Sequence, residues 1–236
     1  MTSETTVTSA TAEMLEVDVD GLFNVRATRG AAPWLVRSGA PEALTPEGAE
    51  ALAALGVSVI VDLREPSEHG AANHGIVVRS VPVYGAEPPA TGGLEQIYDQ
   101  LLRERGAALA RAVGEIADAD GAALVHCTAG KDRTGLVVAL ARRVAGVSVD
   151  GVVADYVLSA PHVRPVRAAH AARVAAGVSE HDRDDVFRLH LESPPEAIGH
   201  ALAVVDELGG AERYLLAHGL RPEQVAALRR KNADAA

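Results

Sequence analysis

With 236 residues, 48% of them hydrophobic, the chain is long enough to bury a sizeable core, and at 3% aromatics that core is mostly Ala, Val and Leu. A net charge of −10, without a basic or aromatic platform, argues against nucleic-acid partners and restricts anion recognition to a local site. The single cysteine, Cys127, excludes an internal disulfide and any multi-cysteine metal site.

Residues 1–13 are rich in Thr, Ser and Glu and are expected to form a loose tail. They show no basic and apolar leader, and no run of about 18 apolar residues follows. The expectation is a cytoplasmic protein without a membrane span. Alternation over Leu15, Val17 and Val19 predicts a half-buried strand, and Trp34 to Val36 a second short one. Thr45-Pro46-Glu47 opens a helix that Gly56 ends. Val57 to Leu63 is β-branched and reads as a buried strand, residues 65–76 as loop, and Val77 to Val83 as another strand.

After a Gly/Pro-rich connection, Gly85 to Gly93, a helical pattern runs from Leu94 to about Ala119, broken near Gly106. Ala122 to His126 predicts a central strand, and Leu136 to Ala145 a helix. Ser148 caps the next helix, through Leu158. Pro161 to about Ala176 is helical, with Arg164, Arg167 and Arg173 as a basic face, read as solvated in preference to a rim that attracts acidic substrate. Residues 177–185 read as loop. Ser193 to Glu196 has capping-box spacing for a helix ending at Gly209-Gly210, and two short helices start near Ala211 and Pro222. Strands fall mainly before residue 127 and helices after it. The reading is α/β: one domain over 14–236, with a small, largely parallel central sheet flanked by helices and extra helices over 160–236.

Between the last strand and its helix stands His126-Cys127-Thr128-Ala129-Gly130-Lys131-Asp132-Arg133-Thr134-Gly135. A tight loop entering a helix N-terminus turns backbone N–H groups toward one centre, and the helix dipole adds positive charge there. Phosphate oxygens fit such a cradle, formed by Thr128, Ala129, Gly130, Lys131, Asp132 and Arg133. Gly130 permits backbone conformations that a side chain resists. Cys127 lies at the floor, where the same donors stabilise a thiolate nucleophile. Five residues on, Arg133 returns a planar fork that binds two phosphate oxygens. Thr134 is placed to donate its hydroxyl to the sulfur when the thiolate departs. His126 is expected to hold the loop through a backbone hydrogen bond. Lys131 is expected at the rim, as a second cation for substrates with more than one negative group. A lone cysteine after a strand is ordinarily a small buried hydrophobe. The combination with His126, Arg133, Gly130 and Thr134 implies a cysteine-dependent phosphatase.

HCTAGKDRTG resembles the signature loop of protein-tyrosine and dual-specificity phosphatases, and its AGKDRTG form is similar to the bacterial tyrosine/serine phosphatase family. Arg37-Ser38-Gly39 with Leu44-Thr45, Asp62-Leu63-Arg64 with Glu65 and Glu68, and Ala154 to Ser159 resemble further segments of that family. Ser193 to Leu228 resembles its C-terminal helices, so the likeness covers most of residues 20–230. One segment departs: Asn24-Val25-Arg26 matches, but Ala27 stands where the family often has Asp. The resemblance implies that Asp132 is the general acid and that the C-terminal helices act as a lid.

Asp62 is the second candidate acid, against a structural role orienting Arg133 or the loop. Arg64 either binds substrate or braces the loop, and Asp155 and Tyr156 are read as packing residues. The nine histidines show no metal-ligand spacing, so neither metal nor cofactor is expected. The expected partner is a phosphotyrosine protein or peptide, phosphoserine and phosphothreonine included, with inorganic phosphate as product. A phosphoinositide, through Lys131, is the alternative substrate. A non-catalytic phospho-ligand module is the alternative of another class, weighed down by the presence of both Cys127 and Arg133. A nucleotide P-loop is excluded because Val125 and Asp132 replace its first Gly and its Ser/Thr.

Overall fold

The computed structural model describes residues 13–30, 32–70 and 75–235. The tail expected over 1–13 therefore lies, except for Glu13, outside the described residues. Among the described residues six strands form one sheet: β1 (Met14–Glu16), β2 (Arg26–Thr28), β3 (Leu35–Ser38), β4 (Val57–Asp62), β5 (Val77–Ser80) and β6 (Ala122–His126). Their order is β1-β2-β3-β6-β4-β5. β1, β2 and β3 pair antiparallel, whereas β3, β6, β4 and β5 run parallel. The sheet is thus mixed, with its parallel part at the centre and one edge.

β6 is buried along its whole length because both faces are covered. Alternate side chains divide between two cores, as the period of two requires. Ala123 and Val125 of β6, Val59 and Val61 of β4 and Leu35 of β3 enter the larger core. Ala122, Leu124, Ile60 and Val36 enter the smaller one, closed by Leu52 of α1 (Pro46–Ala54). The larger core is completed by α2 (Leu94–Glu104), α3 (Gly106–Asp118), α4 (Asp132–Val144), α5 (Val149–Val157), α8 (Pro195–Glu207), α9 (Ala211–Ala217) and α10 (Pro222–Asp234). Two further helices, α6 (Ser159–Ala176) and α7 (Arg183–Leu191), pack on each other.

Several boundaries differ from the sequence reading. β2 and α7 were not expected, and α4 begins at Asp132 rather than Leu136. Ser193 does not cap α8. Its hydroxyl donates to the Val157 carbonyl at 3.0 Å and accepts from Ala160 N at 2.9 Å, tying the start of α8 to the α5–α6 junction. No helix among the described residues is long and apolar enough to cross a membrane.

One buried ion cluster joins the antiparallel edge of the sheet to that junction. Arg26 Nε donates to Asp155 Oδ1 at 2.6 Å, and Arg37 Nη1 donates to Asp155 Oδ2 at 2.5 Å. Both guanidinium groups are fully buried. Arg26 Nη2 also reaches the Ser159 hydroxyl at 3.0 Å. Burial and the neighbouring Arg37 push the Arg26 pKa down to about 10, against the pull of Asp155. Burial alone would raise the Asp155 carboxyl, but Arg37 and Arg26 bring it down to about 2.

Removing one partner of such a cluster leaves buried charge uncompensated, at about 3–5 kcal/mol. Asp155→Ala is expected to lower the unfolding free energy by that amount in urea titrations. A loss below about 1 kcal/mol would mean that water or a neighbour replaces the carboxylate.

Candidate active site

The loop after β6 sits at the C-terminal end of the central strand, where ligands bind in sheets of this kind. Its backbone is turned inside out. The Thr128 carbonyl accepts from Ala40 N at 3.2 Å. The Ala129 and Gly130 carbonyls accept from Asn24 Nδ2 at 3.1 and 3.0 Å. Arg37 Nη2 also donates to Gly130 O at 2.7 Å. With the carbonyls drawn back, the N–H groups of Thr128 to Lys131 donate to nothing among the described residues. Lys131 precedes α4 without a side-chain cap, so the first-turn N–H groups are open as well. Gly130 has φ +66°, and a Cβ there would stand 2.1 Å from Ser38 O. Only glycine lets the loop lie so close to β3.

Cys127 is 2% exposed and forms the floor of a cavity of about 390 Å³. Thr128, Ala129, Asp132 and Arg133 share that lining. Arg133 is aimed by Glu68: Nη1 donates to Oε2 at 2.5 Å and Nη2 to Oε1 at 2.7 Å. Its Nε makes no hydrogen bond among the described residues. The Tyr84 ring lies 4.8 Å from the guanidinium carbon, in cation–π contact. Burial alone would raise the Glu68 carboxyl, but the hydrogen bond and charge of Arg133 hold it down, at about 2. Glu68 also accepts from the Thr128 hydroxyl and from Glu65 N, so it stitches its own turn to the loop.

Asp132 faces the cavity with one oxygen committed. Its Oδ1 accepts from Tyr98 OH at 2.7 Å and lies 2.8 Å from Lys131 Nζ. Since the Tyr98 proton is used there, Tyr156 OH donates to the Tyr98 oxygen, at 2.7 Å. Oδ2 makes no hydrogen bond among the described residues. The Thr134 hydroxyl is buried and likewise unpartnered. His126 Nδ1 lies 3.2 Å from the Cys127 carbonyl and therefore carries the proton.

Three expectations are corrected. Lys131 is not at the rim. It is fully buried, and its Nζ donates to Leu189 O at 3.0 Å and Glu192 O at 2.6 Å, clamping the end of α7. Asp62 does not reach the cavity and orients Arg64 rather than Arg133. Its Oδ1 accepts from Arg64 N and Nε, both at 3.0 Å, and Oδ2 from Nη2 at 2.8 Å. Burial works against ionisation of Asp62, but the Arg64 hydrogen bonds and the His126 field keep its pKa below the ordinary value. A carboxylate so held is a poor proton donor. Arg64 is the brace rather than a substrate ligand: it also donates to Glu42 Oε1 and, at 3.2 Å, to Glu68 O.

The sequence reading did not assign Glu68, Tyr84, His170 or His190 to the site and gave Arg167 a place at its rim only as the less favoured reading, yet all five line the cavity. Glu68 was visible only as part of a matched segment. Arg167, His170 and Val174 are spaced three and four apart, which places them on one face of α6. Among the described residues of 160–236, the lining comes from α6 and α7, whereas α8, α9 and α10 pack into the core.

A model described as the tyrosine phosphatase family matches residues 18–233. The chain is 30% identical over 222 residues to a tyrosine-protein phosphatase of Nostoc commune, covering 86% of this chain and 76% of that one. It is 36% identical over 132 residues to the triple specificity protein phosphatase PtpB of Mycobacterium tuberculosis, covering 54% of this chain and 44% of that protein. The crystal structure of TpbA from P. aeruginosa aligns with a TM-score of 0.37 at 19% identity, over 84% of this chain and 99% of that one.

Burial lowers the His126 pKa from 6.5 to about 4, against the opposing field of Asp62. The unfolded chain then binds a proton between these values that the folded chain refuses. Stability from this group is present above about pH 6.5 and falls as the pH drops toward 4. His126→Asn is expected to flatten the pH dependence of unfolding in that window. An unchanged slope would assign the window to other groups.

Proposed function

Because the chain belongs to the tyrosine phosphatase family, we propose that it hydrolyses phosphotyrosine in proteins or peptides through a phosphocysteine intermediate. The observation that carries this reading is the inverted loop, with Cys127 beneath it and Arg133 aimed across it by Glu68. The Cys127 thiolate attacks phosphorus while the bond to the leaving oxygen breaks. Loop N–H groups and the free edge of Arg133 hold the three equatorial oxygens, where charge spreads in the transition state. Asp132, through Oδ2, gives its proton to the leaving oxygen. In the second step water attacks phosphorus and the S–P bond breaks. Asp132 takes the proton from that water, and the Thr134 hydroxyl donates a hydrogen bond to the departing sulfur. The products are the dephosphorylated side chain and inorganic phosphate.

The burial of Cys127 favours phosphotyrosine, whose long side chain reaches the floor of a deep cavity. Phosphoserine and phosphothreonine are shorter and are expected to turn over more slowly. The phosphoinositide alternative drew on Lys131 as a rim cation, and its buried ammonium withdraws that support.

Cys127→Ser is expected to abolish hydrolysis of para-nitrophenyl phosphate, and full activity in that variant would refute the covalent mechanism. Arg133→Ala is expected to lower kcat/KM by about 10²–10³, the scale of losing a transition-state donor. Asp132→Asn is expected to lower kcat and alter the limb of the pH–rate profile that this carboxyl sets. An unaltered profile would move the acid elsewhere.

A further inference from the structure

Among the described residues, the charged side chains that line the cavity are paired with one exception. Arg133 is matched by Glu68, and Asp132 by Lys131. Arg167, on α6, lines the same cavity and makes no hydrogen bond or ion pair among the described residues. Two imidazoles stand beside it. The His170 and His190 rings meet edge to face, with centroids 5.1 Å apart. His190 Nε2 is 2.9 Å from the Ala90 carbonyl, so it donates there and the ring is fixed. A half-buried guanidinium beside neutral rings has lost hydration and gained no partner. Burial lowers its pKa, while the charges of Cys127 and Glu68 act in the other direction.

We propose that Arg167, with His170 beside it, is a second anion subsite that selects phosphopeptides bearing another negative group next to the phosphorylated residue. The inference rests on the phosphatase reading above. The first anion occupies the loop above Cys127, and Arg167 lines the same cavity from a different element, α6. A single uncompensated cation fits one added carboxylate or phosphate rather than a polyphosphorylated headgroup. Pro88, Pro89 and Val174 supply an apolar wall beside it for an aromatic ring and an extended chain.

The test compares kcat/KM for three phosphotyrosine peptides that differ only in a neighbouring Glu, Ala or Lys. Wild type is expected to favour Glu over Ala by about tenfold, the scale of one charge-assisted contact. Arg167→Gln is expected to bring that ratio near one, and Arg167→Lys to keep most of it. An unchanged ratio in Arg167→Gln, or an equal loss on all three peptides, would overturn the subsite. The affinities of the Cys127→Ser protein for the same peptides repeat the comparison without turnover. Absence of hydrolysis therefore counts against the reaction, and absence of a binding preference counts against the subsite. A response to Arg167→Gln seen only with phosphoinositide vesicles would assign the cation to a lipid and refute the peptide proposal.

Discussion

The site depends on one backbone inversion: the carbonyls of residues 128–130 point away from the cavity. Three carbonyls turned back and four open N–H groups form an arrangement that a free chain does not hold, because both sets compete for water. The protein holds it by placing donors behind the loop. Asn24 and Arg37 come from the antiparallel side of the sheet, and Arg37 can stand there only because Asp155 neutralises it. β3 thus delivers Arg37, and the bend before β2 delivers Asn24. Arg26 completes the set by donating to Asn24 Oδ1 at 2.6 Å, which leaves Asn24 Nδ2 facing the carbonyls.

The same logic of pre-aimed charge runs through the rest of the cavity. A free arginine samples many rotamers, so a phosphate that must order it loses affinity to entropy. Glu68 fixes the Arg133 fork before substrate arrives, and Tyr84 restricts it from the side. Arg64 and Asp62 brace the turn that carries Glu68. The matched DLR…E segment is therefore a support for the arginine, one layer removed from phosphate.

The sequence was most legible where chemistry and period coincide. Val57 to Leu63 and Ala122 to His126 read as strands because burial on both faces demands uninterrupted apolar side chains. That Cys127 and Arg133 meet at one cavity was legible from the loop's place between a strand and a helix and from their spacing. Three-residue strands such as β2 carry too few positions for a period, and α7, with Arg183, Asp184, Asp185 and Arg188, reads as polar loop until α6 packs against it. Side-chain direction was the other gap. Composition cannot tell whether a lysine beside an anion loop turns toward the ligand or away, since that depends on acceptors more than 50 residues later.

That lysine shows why the chain, otherwise rich in arginine, keeps one here. Lys131 Nζ meets three acceptors: Leu189 O, Glu192 O and Asp132 Oδ1. An ammonium has three protons on one atom and can serve acceptors that converge from different directions. A guanidinium spreads its donors over a plane, would direct at most two toward such a point, and needs more volume. The choice ties the last turn of α7, which forms part of the cavity wall, to the Asp132 carboxylate. Placement of the wall and of Asp132 thereby share one buried charge, and a shift in either is felt by the other through Lys131.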